Sequence, residues 1–227
     1  MNFRNFFYSP DASKEKLEIK NDLFNHLVKS RRQKENDIVI LKNLKDDFDY
    51  SYKIQSVQNK KAFLVLESRE EVKNENQNNF HLGFCIIDPK SIKEVLPYLN
   101  QTGVEKITFI YSDLSQKSFK LKKEKLQKIL INSCEQCGRG SLMKLDFKNS
   151  LDDFLKENPN SFVLNFGGQN INEIDIKNIK ACVIGPEGGL SEREMKLFEK
   201  EKILSFKTSN VLKAENAALC LCSKILL

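Results

Sequence analysis

What the chain lacks narrows its class first. No apolar run in its 227 residues approaches the roughly 20 that span a bilayer, and the longest, such as Ala217–Cys222, fall far short. No membrane association is expected. The amino-terminal MNFRNFFYSPDASKEK is interrupted by Arg4 and Asn5 and carries no small-residue cleavage site, so export is not expected and the chain is read as cytoplasmic. Glycine and proline number only 9 and 5, against 40% hydrophobic and 30% charged residues, which excludes collagen-like and disordered chains and leaves a globular one. The six cysteines, Cys85, Cys134, Cys137, Cys182, Cys220 and Cys222, lack the spacing of a disulfide framework and read as free thiols. The lone CxxC at Cys134 and Cys137 has no second pair and no neighbouring histidine, so no metal is expected.

Charge is present but mild. The net +6 comes from 37 basic and 31 acidic residues, compatible with a polyanionic partner without requiring one. Its placement says more: Gln116–Lys128 carries Lys117, Lys120, Lys122, Lys123, Lys125 and Lys128 against Glu124 alone. A solvated helix face and an RNA-facing patch both fit.

Residues 1 to about 70 read as β-rich, with strand candidates at Phe3–Tyr8, Asp37–Leu41, Tyr50–Val57 and Ala62–Glu67, and helical spacing over Asn21–Arg32. A small barrel with one helix fits. Ser68–Asn79 is nearly devoid of apolar residues and reads as a linker or exposed loop, which puts a domain boundary at 72/73. From Phe80 onward, the strand candidates HLGFCII, KITFIY, SFVLNF and ACVI alternate with helical patterns at Ser91–Leu99, Phe119–Cys137 and Glu192–Lys200. An apolar helix is expected from Asn216 to the end. Alternation of this kind predicts an α/β domain over 73–227 with a mostly parallel sheet.

Five of the nine glycines lie between Gly167 and Gly189. In ACVIGPEGGLSERE a β-like run enters GPEGG and then a capping box, Ser191 with Glu194, predicting a helix from Glu192. A strand, a glycine turn and a helix start place free backbone N–H groups at the carboxyl edge of a sheet, where ligands bind; a plain tight connection would read the same way. Neither the GxGxxG of a Rossmann site nor the GK[ST] of a phosphate loop is present.

The string VIGPEGGLSEREMKLFE, with NVLKAENAAL some twenty residues on, resembles the paired carboxy-terminal motifs of the 16S rRNA (uracil-N3)-methyltransferase family. LQKILINSCEQCGRG resembles its helix ending in EQ-x-GR, and FNHLVKSRR its amino-terminal segment. The resemblance covers both expected domains in order. It implies a small PUA-like β-barrel (1–72) followed by a SPOUT domain (73–227), an α/β fold with a trefoil knot, binding S-adenosyl-L-methionine and working as a homodimer on 16S rRNA or the small ribosomal subunit. By the same resemblance Phe166, Gly167 and Gly168, then Gly185, Pro186, Glu187, Gly188, Gly189 and Leu190, then Val211, Leu212, Lys213, Glu215 and Ala217 hold the cofactor. Arg139 and Glu187 are the catalytic candidates. His26, Lys29, Arg31, Arg32, Lys122, Lys123 and Arg139 are the RNA candidates, and His81, at a strand start, is structural.

The chain departs from the family at its last motif, where Asn210, Lys213 and Asn216 stand in the places of Arg, Arg and Thr. Two other readings therefore stay open: a SPOUT enzyme acting on a ribose 2′-oxygen or another base, and a non-catalytic rRNA-binding assembly factor.

Overall fold

The computed structural model describes residues 5–72 and 79–227. The chain divides into two compact units, one drawn from Met1–Glu75 and Ile131–Leu142, the other from Asn76–Leu130 and Met143–Leu227.

In the first unit β1 (Phe7–Tyr8), β2 (Lys16–Ile19), a short α1 (Asn21–Phe24), β3 (Ile38–Lys42), β4 (Phe48–Gln58) and β5 (Lys61–Glu71) follow in sequence. The strands form one sheet in the order β1-β3-β4-β5-β2, antiparallel except for β1 beside β3. Period-two alternation turns Val39 and Leu41, Tyr50, Tyr52 and Ile54, and Ala62 and Leu64 to one face, where Phe24 and Leu27 close the core. Asn59 and Lys60 join β4 to β5 with both φ angles positive, +51° and +59°, as a two-residue turn that follows the twist of the strands requires.

Three sequence expectations change here. Ser68–Glu71, expected as exposed loop, extends β5 and pairs with Phe48–Ser51, because a backbone ladder does not need apolar side chains. Positions 73–78 of that expected linker lie outside the described residues, as do positions 3 and 4 of the expected first strand, which spans Phe7–Tyr8. The expected helix over Asn21–Arg32 is one α turn followed by a π-helix, Asn25–Ser30, closed by the Arg31 N–H donating to the His26 carbonyl at 3.0 Å.

In the second unit β6 (His81–Cys85), α2 (Pro89–Gln101), β7 (Lys106–Ile110), α3 (Lys123–Cys137), β8 (Lys144–Lys148), α4 (Leu151–Glu157), β9 (Phe162–Asn170), β10 (Ala181–Ile184), α5 (Glu192–Met195), β11 (Ile203–Ser205) and α6 (Ala214–Leu226) alternate. All six strands run parallel, in the order β11-β9-β10-β6-β7-β8. The expected α/β architecture holds, and the strands show the continuous apolar runs of a sheet covered on both faces: Ala181–Ile184 is buried throughout. Cys85, Ile110, Val163 and Val183 pack with Leu151 and Phe154 of α4 on one face. The helix expected over Glu192–Lys200 stops at Met195 and is followed by a 3-10 turn, Lys200–Lys202. Helix α3 begins at Lys123 rather than Phe119, and its last residues, from Ile131, are packed in the first unit, where Ile131, Cys134 and Leu142 join Phe6 and Leu44.

His81 is a structural ring. The Asn158 amide nitrogen donates to the Phe154 carbonyl, which turns its Oδ1 toward His81 Nδ1 at 3.0 Å, so Nδ1 carries the proton. Nε2 then accepts from the Thr108 hydroxyl at 2.7 Å. Burial, aided by Lys106, pushes the ring's pKa down to about 4. Above about pH 6.5 the ring is neutral folded or unfolded; below it only the unfolded chain takes the proton until pH nears 4. Stability should therefore fall between pH 6.5 and 4, by about 1–2 kcal/mol from this ring after solvent screening. Urea unfolding across that window should show the slope flattened in His81→Gln; an unchanged slope would remove His81 as its source.

Candidate active site

The carboxyl edge of the parallel sheet, where ligands of α/β proteins bind, is where the glycines gather. The ends of β9 and β10, the chain after β11 and the start of α6 surround a cavity of about 420 Å³, in the range of small-molecule sites. Its walls are mostly apolar. Leu164 and Ile184 come from the strand ends, Leu190 from the glycine turn, and Leu212, Ala214 and Ala217 from the entry to α6. Phe166 and Val211 also line it but stand out into solvent, 72% and 79% exposed.

The glycine turn is held by a capping box. Ser191 Oγ accepts from the Glu194 N–H at 3.2 Å, and Glu194 Oε2 accepts from the Ser191 N–H at 3.0 Å. Glu194 is fully buried, and its other oxygen accepts from the Asp113 N–H at 2.9 Å. The Asp113 carboxylate in turn accepts from the Ser191 hydroxyl at 2.6 Å and from Arg193 Nε and a terminal nitrogen, each at 3.0 Å. The other terminal nitrogen of Arg193 reaches Asp152 at 2.9 Å. Arg193 and Ser191 together hold the Asp113 carboxyl below its ordinary range. The turn, the loop after β7 and the start of α4 are thus bound as one piece. Within the turn Gly189 sits at φ +74°, and its N–H donates to the Pro186 carbonyl at 2.8 Å.

Strand β9 leaves its ladder over the cavity. Val163 faces Ile203 of β11, yet the next residue of β11, Leu204, faces Gln169. Asn165–Gly168 therefore bulge out unpaired. Gly168 closes this excursion: a Cβ there would lie 2.5 Å from the Ile203 carbonyl oxygen, so only glycine fits.

Most of the expected cofactor residues meet at this cavity: Phe166, Gly167, Gly185, Pro186, Glu187, Gly189, Leu190, Val211, Leu212, Lys213 and Ala217 all line it. Three do not. Gly168 is occupied by the contact with β11, Gly188 faces the Leu114 side chain, and Glu215 lies in the first turn of α6 outside the lining. The cavity adds residues the sequence did not single out, among them Asn165, Ser205, Phe206 and Thr208; they come from the β9 excursion, from the end of β11, a three-residue strand with no signature of its own, and from the chain after it. Glu187 and Lys213 are the ionisable groups in the lining.

The expected RNA residues separate by exposure. Lys29, Arg31, Arg32, Lys122 and Lys123 are exposed. His26 is half-buried, edge-on to Phe7 and 3.9 Å from Glu135, whose carboxyl is raised by burial. Arg139 is buried in the first unit at 9% exposure and does not line the cavity.

Comparison with known proteins agrees with this architecture. The RNA methyltransferase domain family matches residues 73–226, and the RNA methyltransferase PUA domain family matches residues 19–67. Ribosomal RNA small subunit methyltransferase E of Helicobacter pylori is 38% identical, over 96% of this chain and 97% of that protein. A Legionella pneumophila methyltransferase solved in complex with the bound cofactor SAM superposes with a TM-score of 0.82 at 25% identity, over 98% of this chain and 96% of that one. Ribosomal RNA small subunit methyltransferase E of Neisseria gonorrhoeae, solved bound to S-adenosyl methionine, shares the fold with a TM-score of 0.80 at 18% identity, over 97% and 96%. With a two-domain match in order and a relative this similar over nearly the whole length of both chains, the chain belongs to the family of ribosomal RNA small subunit methyltransferase E.

Proposed function

We propose that this protein transfers a methyl group from S-adenosylmethionine to N3 of one uridine in the 16S rRNA of the small ribosomal subunit. The observation that carries this reading is the cavity at the sheet's carboxyl edge, built from the segments that resemble the family's cofactor motifs. In sequence the division is 1–72 for an RNA-binding barrel and 73–227 for the methyltransferase domain, with Ile131–Leu142 packed into the barrel unit. The reading extends to a trefoil knot in the second domain, a homodimer, and action in the cytoplasm. No helix among the described residues is long and apolar enough to cross a membrane.

The residues present fit the cofactor. Leu164, Ile184, Leu212 and Ala217 offer an apolar slot for an adenine, and glycines at 167, 185 and 189 let a ribose or an amino-acid chain pass close to backbone N–H and C=O groups. Once bound there, S-adenosylmethionine supplies an electrophilic methyl carbon on a sulfonium.

The protein's own task is placement and charge. Transfer needs the target nitrogen held in line with the carbon–sulfur bond, so the wall of Leu164, Ile184, Leu212 and Ala217 would act by fixing that approach. The N3 proton must also leave. Glu187, an exposed carboxylate in the lining, would accept it, and Lys213 would stabilise negative charge on the uracil oxygens. On the RNA side, Lys29, Arg31 and Arg32 of the first unit and Lys122 and Lys123 of the second are exposed cations suited to phosphate, with His26 beside the first group.

Two measurements test the reading. Mass spectrometry of 16S rRNA should show N3-methyluridine lost on deletion of the gene and restored by the intact chain but not by Ala217→Trp, whose ring fills the slot. Calorimetry on that variant should show S-adenosylmethionine affinity down at least 100-fold with the fold retained. Persistence of the modified base in the deletion strain would sink the uracil-N3 assignment. Separately, Lys122, Lys123 and Lys125 changed together to Glu should weaken binding to unmethylated small subunits, with cofactor affinity unchanged. The slope of log affinity against log salt should fall by roughly one for each phosphate these lysines neutralise. An unaltered slope would take this patch out of the interface.

A further inference from the structure

Phe166 is held where neither folding nor an enclosed ligand explains it. It sits on the Asn165–Gly168 excursion of β9, which leaves the ladder on both sides and returns at Gln169. The excursion is braced rather than loose. Asn165 Nδ2 contacts Met195 Sδ at 3.3 Å, the Ser205 hydroxyl donates to the Gly168 carbonyl at 2.7 Å, and Gly168 lies against the backbone of Ile203. A braced excursion that carries a phenyl ring 72% exposed at the rim of the cavity keeps apolar surface in water. Val211, 79% exposed, is a second apolar residue at the same rim.

The buried walls of the cavity, Ile184 and Ala214, lie inside it, whereas the Phe166 ring stands out into solvent at its rim. Its open face calls for a flat partner arriving from solvent. A base that is to be modified must be unstacked from its neighbours, and an aromatic side chain is the usual replacement for the stack it leaves. We infer that Phe166 is the stacking platform for the target pyrimidine, a positioning residue that holds the base in line with the cavity, rather than a wall of the cofactor slot. The assignment rests on the methyltransferase reading above. Stacking stands in for the neighbouring bases without reading the pyrimidine's edge, so Phe166 sets where the base lies and leaves its N3 free to react.

The test compares Phe166→Ala, Phe166→Tyr and Phe166→Leu in the full-length protein, using small ribosomal subunits from a strain lacking the gene as substrate and calorimetry for cofactor affinity. Phe166→Ala should raise KM for the subunits roughly 10–100-fold, with the cofactor Kd within about twofold of the parent. Phe166→Tyr should restore KM, and Phe166→Leu should not. A cofactor Kd that rises along with KM in Phe166→Ala, a leucine as good as a tyrosine, or a KM that does not move would each overturn the inference. A parent protein that binds no S-adenosylmethionine, or transfers no methyl group, would instead bring down the reading on which it rests.

Discussion

The buried carboxylate of Glu194 is the group on which the site depends. A fully buried carboxylate is costly unless its oxygens are bonded, and here each oxygen takes a backbone N–H, one from Ser191 and one from Asp113, 81 residues away along the chain. Removing the side chain would strand both donors, at about 1–3 kcal/mol each. The capping box is therefore more than a helix start. It fixes the glycine turn relative to the end of β7, and the exposed clamp of Arg193 on Asp113 and Asp152 adds direction to a geometry the buried group already sets. Surface ion pairs of this kind contribute modestly by themselves, so the buried member dominates.

Given that anchor, the rest of the cavity follows from the parallel sheet. Parallel strands end together, so the loops leaving β9, β10 and β11 are brought to one edge whatever their sequences. Two of those loops then specialise. The loop after β10 turns tightly through glycine and is pinned by the box. The chain of β9 instead escapes its ladder for Asn165–Gly168 and returns through Gly168, which lies too close to the backbone of β11 to carry a side chain. The first loop makes a wall and the second a projecting lip. The apolar entry of α6 completes the enclosure with Leu212, Ala214 and Ala217.

Which of these features could be read from the sequence is itself physical. The capping box, the GPEGG turn and the strand–helix alternation are local, each set by residues within a few positions of one another, and they stand in the structure as expected. What escaped was either short or long-range. The KLEI strand and the three-residue β11 have too few residues for a period to show, and KLDFK of β8 has polar ends. The docking of Ile131–Leu142 into the first unit depends on Phe6 and Leu44, which no periodicity within α3 could indicate. The same holds for Arg139. Its place in an EQ-x-GR element made it a candidate for RNA or anion contact, whereas its burial depends on how that helix end packs in the first unit. Glycines show the limit most clearly: the cluster at 167–189 marked the site, but not that Gly168 serves the backbone of β11 while Gly167 and Gly189 face the cavity.

The loop after β7 joins these points. It begins at Tyr111, whose ring has the ammonium groups of Lys117 and Lys120 at 5.8 and 5.3 Å, and it runs on to Lys122 and Lys123 at the start of α3. Lys117 is tied back further by donating to the Ser112 carbonyl at 3.0 Å. The same loop carries Asp113, the residue that Glu194, Ser191 and Arg193 all hold, and Leu114, whose side chain lies beside Gly188. The lysine run and the glycine turn are therefore parts of one braced body rather than two flexible features that happen to be near each other. Lys117 and Lys120 are held in this way, so part of the ordering that lysines on a mobile tail would have to undergo is already done by the fold.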